Sequence, residues 1–281
     1  MTWVFPGLFV LLWSTGFIGA KLGLPYAEPF VFLELRFLFV LVILLPLCWL
    51  SKAPWPSGRR AMQMAVSGGL IQAGYLGGVF ASLHHGMPAG VSALVTGMQP
   101  VLTAVLGSWL LRETVTRRQW TGLALGLAGV FLVVGDRIVV ERLGAAAIAL
   151  SLFALLSITL GTLWQKRHGA GVDLRTGAAI QFIAAAVLLA PVAALEGGEV
   201  RWTGEFVFAL AWLVVVLSFG AIFLLLTLIR RGAATQVSSL FYLVPPTTAL
   251  IAWPLFGETY SPAAAAGMGL AMLAVWLVMK A

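Results

Sequence analysis

The sequence predicts an all-α integral membrane protein with ten transmembrane helices, arranged as two inverted five-helix repeats. Three observations lead to this prediction. Apolar residues make up 61% of the 281 residues and charged residues only 10%, which is less charge than a domain facing water carries. The apolar residues recur in blocks of about twenty, the length at which a helix crosses a bilayer. Two stretches from opposite halves of the chain also resemble each other.

Short connectors rich in proline, glycine and charge separate the apolar blocks. The first block has no lysine or arginine before it and no clear small-residue cleavage site after it, so we interpret it as a retained span. The single cysteine, Cys48, excludes an internal disulfide. The predicted spans are 3–21, 29–50, 60–83, 88–111, 117–135, 143–166, 174–195, 205–229, 234–256 and 261–280.

The cations lie in alternate connectors, which is how membrane proteins set their orientation. One set of connectors, together with Lys280, carries twelve lysines and arginines. The other set carries only Lys21, Arg137, Arg142 and Arg201, beside six acidic residues. We therefore expect the first set, and both termini, to be cytoplasmic, and this requires an even number of spans. Because the net charge of +7 resides in these connectors, it does not predict nucleic-acid binding.

An internal repeat divides the chain into segments 1–140 and 141–281. VSALVTGMQPVLTAVLGSWLLRET (91–114) aligns with VSSLFYLVPPTTALIAWPLFGET (237–259) with one gap. A weaker match relates 8–21 to 152–165. Five spans in each half would give the two copies opposite orientations. Inverted repeats are typical of transporters whose substrate site lies near the middle of the membrane.

The motifs of this chain resemble the drug/metabolite transporter superfamily. The resemblance rests on WSTGFIGAKLGLPYAEPFVFLELRF (13–37), GVSALVTGMQP (90–100) and the second repeat copy ending in GET. The chain is most similar to the ten-span EamA-type exporters, and among them to the bacterial aromatic amino-acid exporters of the YddG type. The resemblance implies a bacterial inner-membrane protein that exports small metabolites, often amino acids, by alternating access. It also implies that Leu35, Arg36 and Phe37 belong to the family's second helix, whereas Glu34 replaces an apolar residue.

Three charged or titratable side chains are candidates for coupling or for the solute pathway: Glu34, Arg36 and His84. Glu34 and Arg36 lie about 200° apart around a helix, so they point to nearly opposite sides. One interpretation has both hydrated near the outer interface, or paired with Lys21, His84 or His85. In the other, one of them faces the pathway, since charges inside a membrane are usually functional. We expect no metal site.

Polar and aromatic side chains within the spans supply the candidate substrate-binding residues. Aromatic rings can stack on an apolar solute while glutamine and tyrosine hydrogen-bond its polar groups. The alternatives are hydrogen bonds between helices for the polar residues and an interface belt for the tryptophans. Prolines inside the spans, Pro254 among them, predict fixed kinks or hinges. The substrate candidates are Gln72, Tyr75, Thr96, Gln99, Trp164 and Tyr242, and the expected helix breaks are Pro100, Pro245 and Pro246.

These patterns predict an exporter of small metabolites, in particular aromatic or other apolar amino acids, that works through a central cavity. An importer, an exchanger or a multidrug exporter of another solute stays open. An intramembrane enzyme is a distant alternative, because no nucleophile–base pair or metal-ligand pattern stands out. We expect no cofactor, and the expected partners are the solute and the lipid bilayer, with the chain a monomer. Since buried acids are few, we also hypothesise a facilitator without proton coupling.

Overall fold

The computed structural model describes residues 4–87, 89–110, 114–138, 144–231, 234–256 and 261–279. Within these ranges every regular element is a helix. Two π-helical segments, π1 (Gly69–Leu76) and π2 (Leu213–Ala221), interrupt α-helices, and a 3₁₀ turn covers Leu240–Leu243. The α-helices are α1 Val4–Gly23, α2 Pro29–Leu50, α3 Gly58–Gly68, α4 Gly77–His84, α5 Ala89–Gly97, α6 Gln99–Leu110, α7 Arg117–Ile138, α8 Ala145–His168, α9 Leu174–Glu196, α10 Gly204–Trp212, α11 Ile222–Arg231, α12 Ala234–Ser239, α13 Val244–Phe256 and α14 Pro262–Met279.

Six of the described helices are long and apolar enough to cross a membrane: Val4–Gly23, Pro29–Leu50, Gly58–His84, Ala145–His168, Leu174–Glu196 and Gly204–Arg231. Two of them contain a π segment, because α3, π1 and α4 run on as one helix, as do α10, π2 and α11. Their outward side chains are apolar. Trp49 is 79% exposed and Leu195 is 88% exposed. Such an apolar exterior is suited to lipid.

The helices pack in pairs drawn from the two halves of the chain. Helix α14 lies along α7, and α2 lies along α9. Helix α1 packs on the α10–π2–α11 helix and on α13, while α8 packs on the α3–π1–α4 helix and on α6. Small residues permit the closest approaches: Gly68 lies against the backbone of Gln181, and Gly129 against the carbonyl oxygen of Gly267.

Hydrogen bonds between helix ends show which connectors share an end of the bundle. At one end Thr176 Oγ1 donates to Pro54 O over 2.9 Å, and Lys166 Nζ donates to Ile229 O over 3.1 Å. At the opposite end the 24–28 connector meets the 197–203 connector, where the Arg201 backbone N donates to Tyr26 O over 2.9 Å. The connectors 51–57 and 169–173, the second of which is flanked by Lys166, Arg167 and Arg175, therefore lie at one end, the basic end. The connectors 24–28 and 197–203, which carry Glu28 and Glu199, lie at the other, the acidic end.

The prolines explain several helix starts. Pro29 opens α2, where its missing N–H leaves no hydrogen bond unmade. Pro100 is the second residue of α6, after an interruption at Met98, and Pro245 and Pro246 follow the 3₁₀ turn at the start of α13. Each therefore coincides with an interruption between helical segments. Pro254 lies inside α13, which continues through it to Phe256.

Candidate functional site

A small cavity lies between α1, α2, the π1–α4 stretch and the π2–α11 stretch. It offers about 30 Å³ of space for the centres of water molecules. A single water needs roughly 10–15 Å³ of such space, so the cavity has room for a few waters. Its walls are mostly apolar, with one guanidinium and one phenol. The lining residues are Trp13, Gly16, Phe17, Arg36, Tyr75, Leu76, Val79, Phe80, Leu217 and Ile222.

Stacked aromatic rings form one wall of the cavity. The Trp13 and Tyr75 rings stack with centroids 5.9 Å apart and planes 16° apart. Phe241 meets Trp13 edge-on at 5.2 Å, and Phe9 lies 5.2 Å from the same ring. Because all four rings are buried, their positions are held by packing. This wall is a rigid apolar surface on which another flat or apolar group can lie.

Arg36 is the charged residue of the cavity. Its side chain is 2% exposed, and its Nε donates a hydrogen bond to Ser218 Oγ over 3.0 Å. Ser218 Oγ in turn donates to Leu213 O over 3.1 Å, a bond that spans five residues within π2. No carboxylate of the described residues forms an ion pair with Arg36. A positive charge therefore faces the cavity without a counter-ion from the described part of the chain.

The other two predicted charges lie elsewhere. Glu34 is half-buried on a different side of α2 from Arg36, and its Oε2 has no hydrogen-bond partner. His84 Nε2 lies 3.5 Å from Glu28 Oε2, beside a recess of about 330 Å³ at the acidic end of the bundle. At the same end, a hydrogen bond to the Glu205 carboxylate raises the pKa of Tyr26. The structure therefore does not bring Glu34, Arg36 and His84 together.

Gln72 lies in π1, three residues before Tyr75 in the direction of the basic end. Its side chain is fully buried, and neither amide atom has a hydrogen-bond partner. Gln99 is also buried, and its Nε2 donates to Thr162 Oγ1 over 3.1 Å, while its Oε1 has no partner. Such unpaired polar atoms are costly in a protein interior, and they indicate groups able to bind water or solute.

A second polar group lies nearer the basic end. Ser67 Oγ donates to Gln165 Oε1 over 2.7 Å, and Gln181 Nε2 donates to the same oxygen over 3.2 Å. All three side chains are buried. Together with Gln72 and Gln99, these side chains form a polar interior between the cavity and the basic end of the bundle.

Three predicted substrate contacts bond elsewhere in the bundle. Thr96 Oγ1 donates back to Ser92 O within α5, over 2.9 Å. Trp164 Nε1 donates to Gln63 O over 2.9 Å and joins α8 to α3 near the basic end. Tyr242 is fully buried, and its hydroxyl donates to Leu123 O over 2.8 Å. Of the six predicted contacts, Tyr75 lines the cavity and Gln72 lies next to it, while Gln99 belongs to the polar interior.

Sequence reasoning missed several residues of this region. Ser218 gave no signal, because one serine in an apolar span commonly bonds its own helix. Gln165 and Gln181 carried the same signal as Gln72, a glutamine within an apolar span. Phe241 was hidden among seventeen phenylalanines. Within the described residues, no three histidine, cysteine, aspartate or glutamate side chains gather as a metal site would require.

Comparisons with other proteins agree with this architecture. The sequence profile described as the EamA-like transporter family matches residues 3–135 and 145–280. The chain is 27% identical over 280 residues to the uncharacterized inner membrane transporter YedA of Escherichia coli K12, covering 98% of this chain and 90% of YedA. It is 28% identical over 161 residues to a probable amino-acid metabolite efflux pump of Salmonella typhimurium, covering 57% of this chain and 52% of the pump. A protein of known crystal structure superposes with a TM-score of 0.78 at 21% identity, covering 99% of this chain and 96% of that one, a likeness that concerns the fold alone.

Proposed function

The chain belongs to the EamA-like transporter family, and on that premise we propose that it exports small amino-acid-like metabolites by alternating access. Aromatic and other apolar amino acids are the proposed solutes. The observation that carries this proposal is the cavity between helices of both halves, where an aromatic wall meets a buried guanidinium. The likeness to a probable amino-acid metabolite efflux pump supports the choice of solute. The family and the names of the relatives indicate a transporter rather than an enzyme.

We propose that the chain crosses the membrane ten times, as inverted repeats 1–140 and 141–281. The family profile matches two segments that correspond to these halves. The packing is mirrored as well, since α1 contacts the eighth and ninth predicted spans just as α8 contacts the third and fourth. The interval from Gly69 to Leu213, where the π segments begin, equals the interval between the matched positions Leu8 and Leu152.

Cysteine labelling tests the inverted arrangement. The positions are 113 and 258, the glutamates of the two repeat copies, which lie outside the described residues. In a Cys48→Ala background, a membrane-impermeant thiol reagent is expected to label position 113 from the cytoplasmic side and position 258 from the opposite side. Labelling of both from one side contradicts the inverted repeat. The same experiment at the two termini tests the proposed location of both in the cytoplasm, with the chain in a bacterial inner membrane.

For the solute pathway we propose contacts with Tyr75, Gln72 and Gln99. Tyr75 lines the cavity, and the two glutamines carry buried amide atoms without partners. Tyr75→Ala and Gln99→Ala are therefore expected to reduce export while the protein still inserts. For Thr96, Trp164 and Tyr242, the hydrogen bonds to the backbone favour the structural alternative.

Solute flux in vesicles tests the proposed function. Purified protein is reconstituted into vesicles loaded with labelled phenylalanine, leucine, lysine or an organic cation. The expected result is saturable release of intact phenylalanine and leucine, well above that of protein-free vesicles. A Trp109→Ala variant, changed at an exposed position, serves as the control and should retain this flux. Release of organic cations without amino acids overturns the proposed solute class. If an imposed pH gradient drives accumulation of the solute, the hypothesis of a facilitator without proton coupling is contradicted.

A further inference from the structure

The Arg36 guanidinium has one edge occupied and one edge free. Its Nε is held by Ser218 Oγ. No described residue accepts a hydrogen bond from either terminal nitrogen, and the side chain borders the cavity. The edge formed by the two terminal nitrogens can bind a carboxylate through two parallel hydrogen bonds, and it is the edge that the contact with Ser218 leaves available. The contact with Ser218 fixes the plane of the guanidinium, so this fork is oriented before any ligand arrives.

An unpaired charge at this depth is costly to the fold. Arginine stays protonated in proteins, and a buried charge without a partner destabilises unless an anion compensates it. An apolar residue of similar volume would fill the position without this penalty. Ser218 does not depend on Arg36 for a partner, since its hydroxyl also bonds to Leu213 O. A bound anion would therefore stabilise Arg36 in this position.

The surroundings of the fork restrict which anions fit. Trp13, Phe17, Tyr75 and Phe80 give the cavity an aromatic lining, and aliphatic residues complete it. A strongly hydrated inorganic anion gains little from such walls, whereas a carboxylate joined to an apolar group would bury that group against the rings. The present space of about 30 Å³ is far below the few hundred Å³ of a usual ligand pocket, so the walls must separate when a solute enters.

We infer that Arg36 is the carboxylate-binding residue of the transport site, and that the transported solutes are small carboxylates whose apolar part lies against Trp13 and Tyr75. This inference rests on the proposed function and narrows it. The carboxylate becomes the feature that every transported solute shares. An amino acid is recognised because it is an apolar acid, and its amide or its decarboxylated amine is rejected.

A matched set of solutes tests this in reconstituted vesicles. The set is phenylalanine, phenylalanine amide and phenethylamine, which share the ring and differ at the carboxyl group. Wild-type protein is expected to transport phenylalanine at least about thirtyfold faster than the other two, because loss of one partner of a buried charge pair typically has at least that effect. Arg36→Gln is expected to lose a similar factor for phenylalanine. Arg59→Gln, which removes an exposed arginine outside the cavity, is the matched control and should keep wild-type flux.

Two results overturn the inference: transport of the amide within threefold of phenylalanine, or undiminished flux in Arg36→Gln. Binding to the purified protein separates this failure from failure of the proposed function. 3-Phenylpropionate is expected to raise the unfolding temperature of the wild type but not of Arg36→Gln, whereas 3-phenylpropionamide raises neither. If 3-phenylpropionate raises the unfolding temperature as expected but the vesicles release no amino acid, amino-acid export is refuted and the anion site is supported. Equal protection by both compounds, or by neither, refutes the anion site.

Discussion

The contact between Gly68 and Gln181 gives a quantitative test of the bundle. A Cβ added to Gly68 would lie 2.7 Å from the Gln181 carbonyl carbon, and closer still to its oxygen and Cα, whereas ordinary contacts begin at 3.4 Å. In Gly68→Ala, helices α3 and α9 must therefore separate by about 0.7 Å or more. Such overpacking costs about 1–3 kcal/mol.

Thermal unfolding of the purified protein in detergent measures this effect. For a chain of this size, the expected loss lowers the unfolding temperature by roughly 5–10 °C. Gly269→Ala is the matched control, because a Cβ there meets no atom within 4 Å, and alanine favours a helix over glycine by about 1 kcal/mol. Gly269→Ala is expected to unfold at or above the wild-type temperature. If Gly68→Ala unfolds at the same temperature as this control, the close approach of α3 and α9 is refuted.

Three further predictions concern other contacts. Tyr242→Phe removes the buried hydrogen bond to Leu123 O and should lower stability by about 1 kcal/mol while flux persists; loss of flux in a folded protein would assign Tyr242 to the pathway. Glu196→Ala removes the carboxylate that accepts hydrogen bonds from the first N–H groups of α2 and should cost about 1 kcal/mol in thermal unfolding, with an unchanged unfolding temperature as the contrary result. Hydrogen bonds from Arg175 hold the pKa of Asp173 at about 2, below the usual value of about 3.9. Because the pKa is lower in the folded protein, the ionised Asp173 carboxylate stabilises the fold above pH 4, and this stabilisation is lost as the pH falls towards 2. In Asp173→Asn, the unfolding temperature should therefore fall less steeply between pH 4 and pH 2 than it does in the wild type.

The sequence was sufficient to predict most helix positions. The second helix runs Pro29–Leu50, as expected from a proline followed by an unbroken apolar run. The ninth helix was predictable too, because the expected span 174–195 corresponds to the observed Leu174–Glu196. Local spacing and hydrophobicity determine both features, and both are visible in one short window of sequence.

Contacts between distant helices could not be predicted in this way. The bond from Arg36 to Ser218 joins residues of different halves, and neither residue carries a mark of the other. The orientation of Tyr242 has a local cause. The 3₁₀ turn at Leu240–Leu243 changes the rotation of the chain before α13, and Phe241 rather than Tyr242 meets Trp13. The π segments also have no sequence signal of their own, since they differ from α-helix in hydrogen-bond spacing rather than in composition.

The π segments also affect where a residue can be deleted from a membrane helix. In a π-helical turn the hydrogen bond reaches one residue further than in an α-helix, so each segment accommodates a surplus residue. Deleting one residue within Gly69–Leu76 or Leu213–Ala221 would let the turn tighten, while the stretches on either side keep their facing. Elsewhere in a membrane helix, a deletion rotates everything beyond it by about 100°. One residue can therefore be lost from either turn without rotating the rest of its helix.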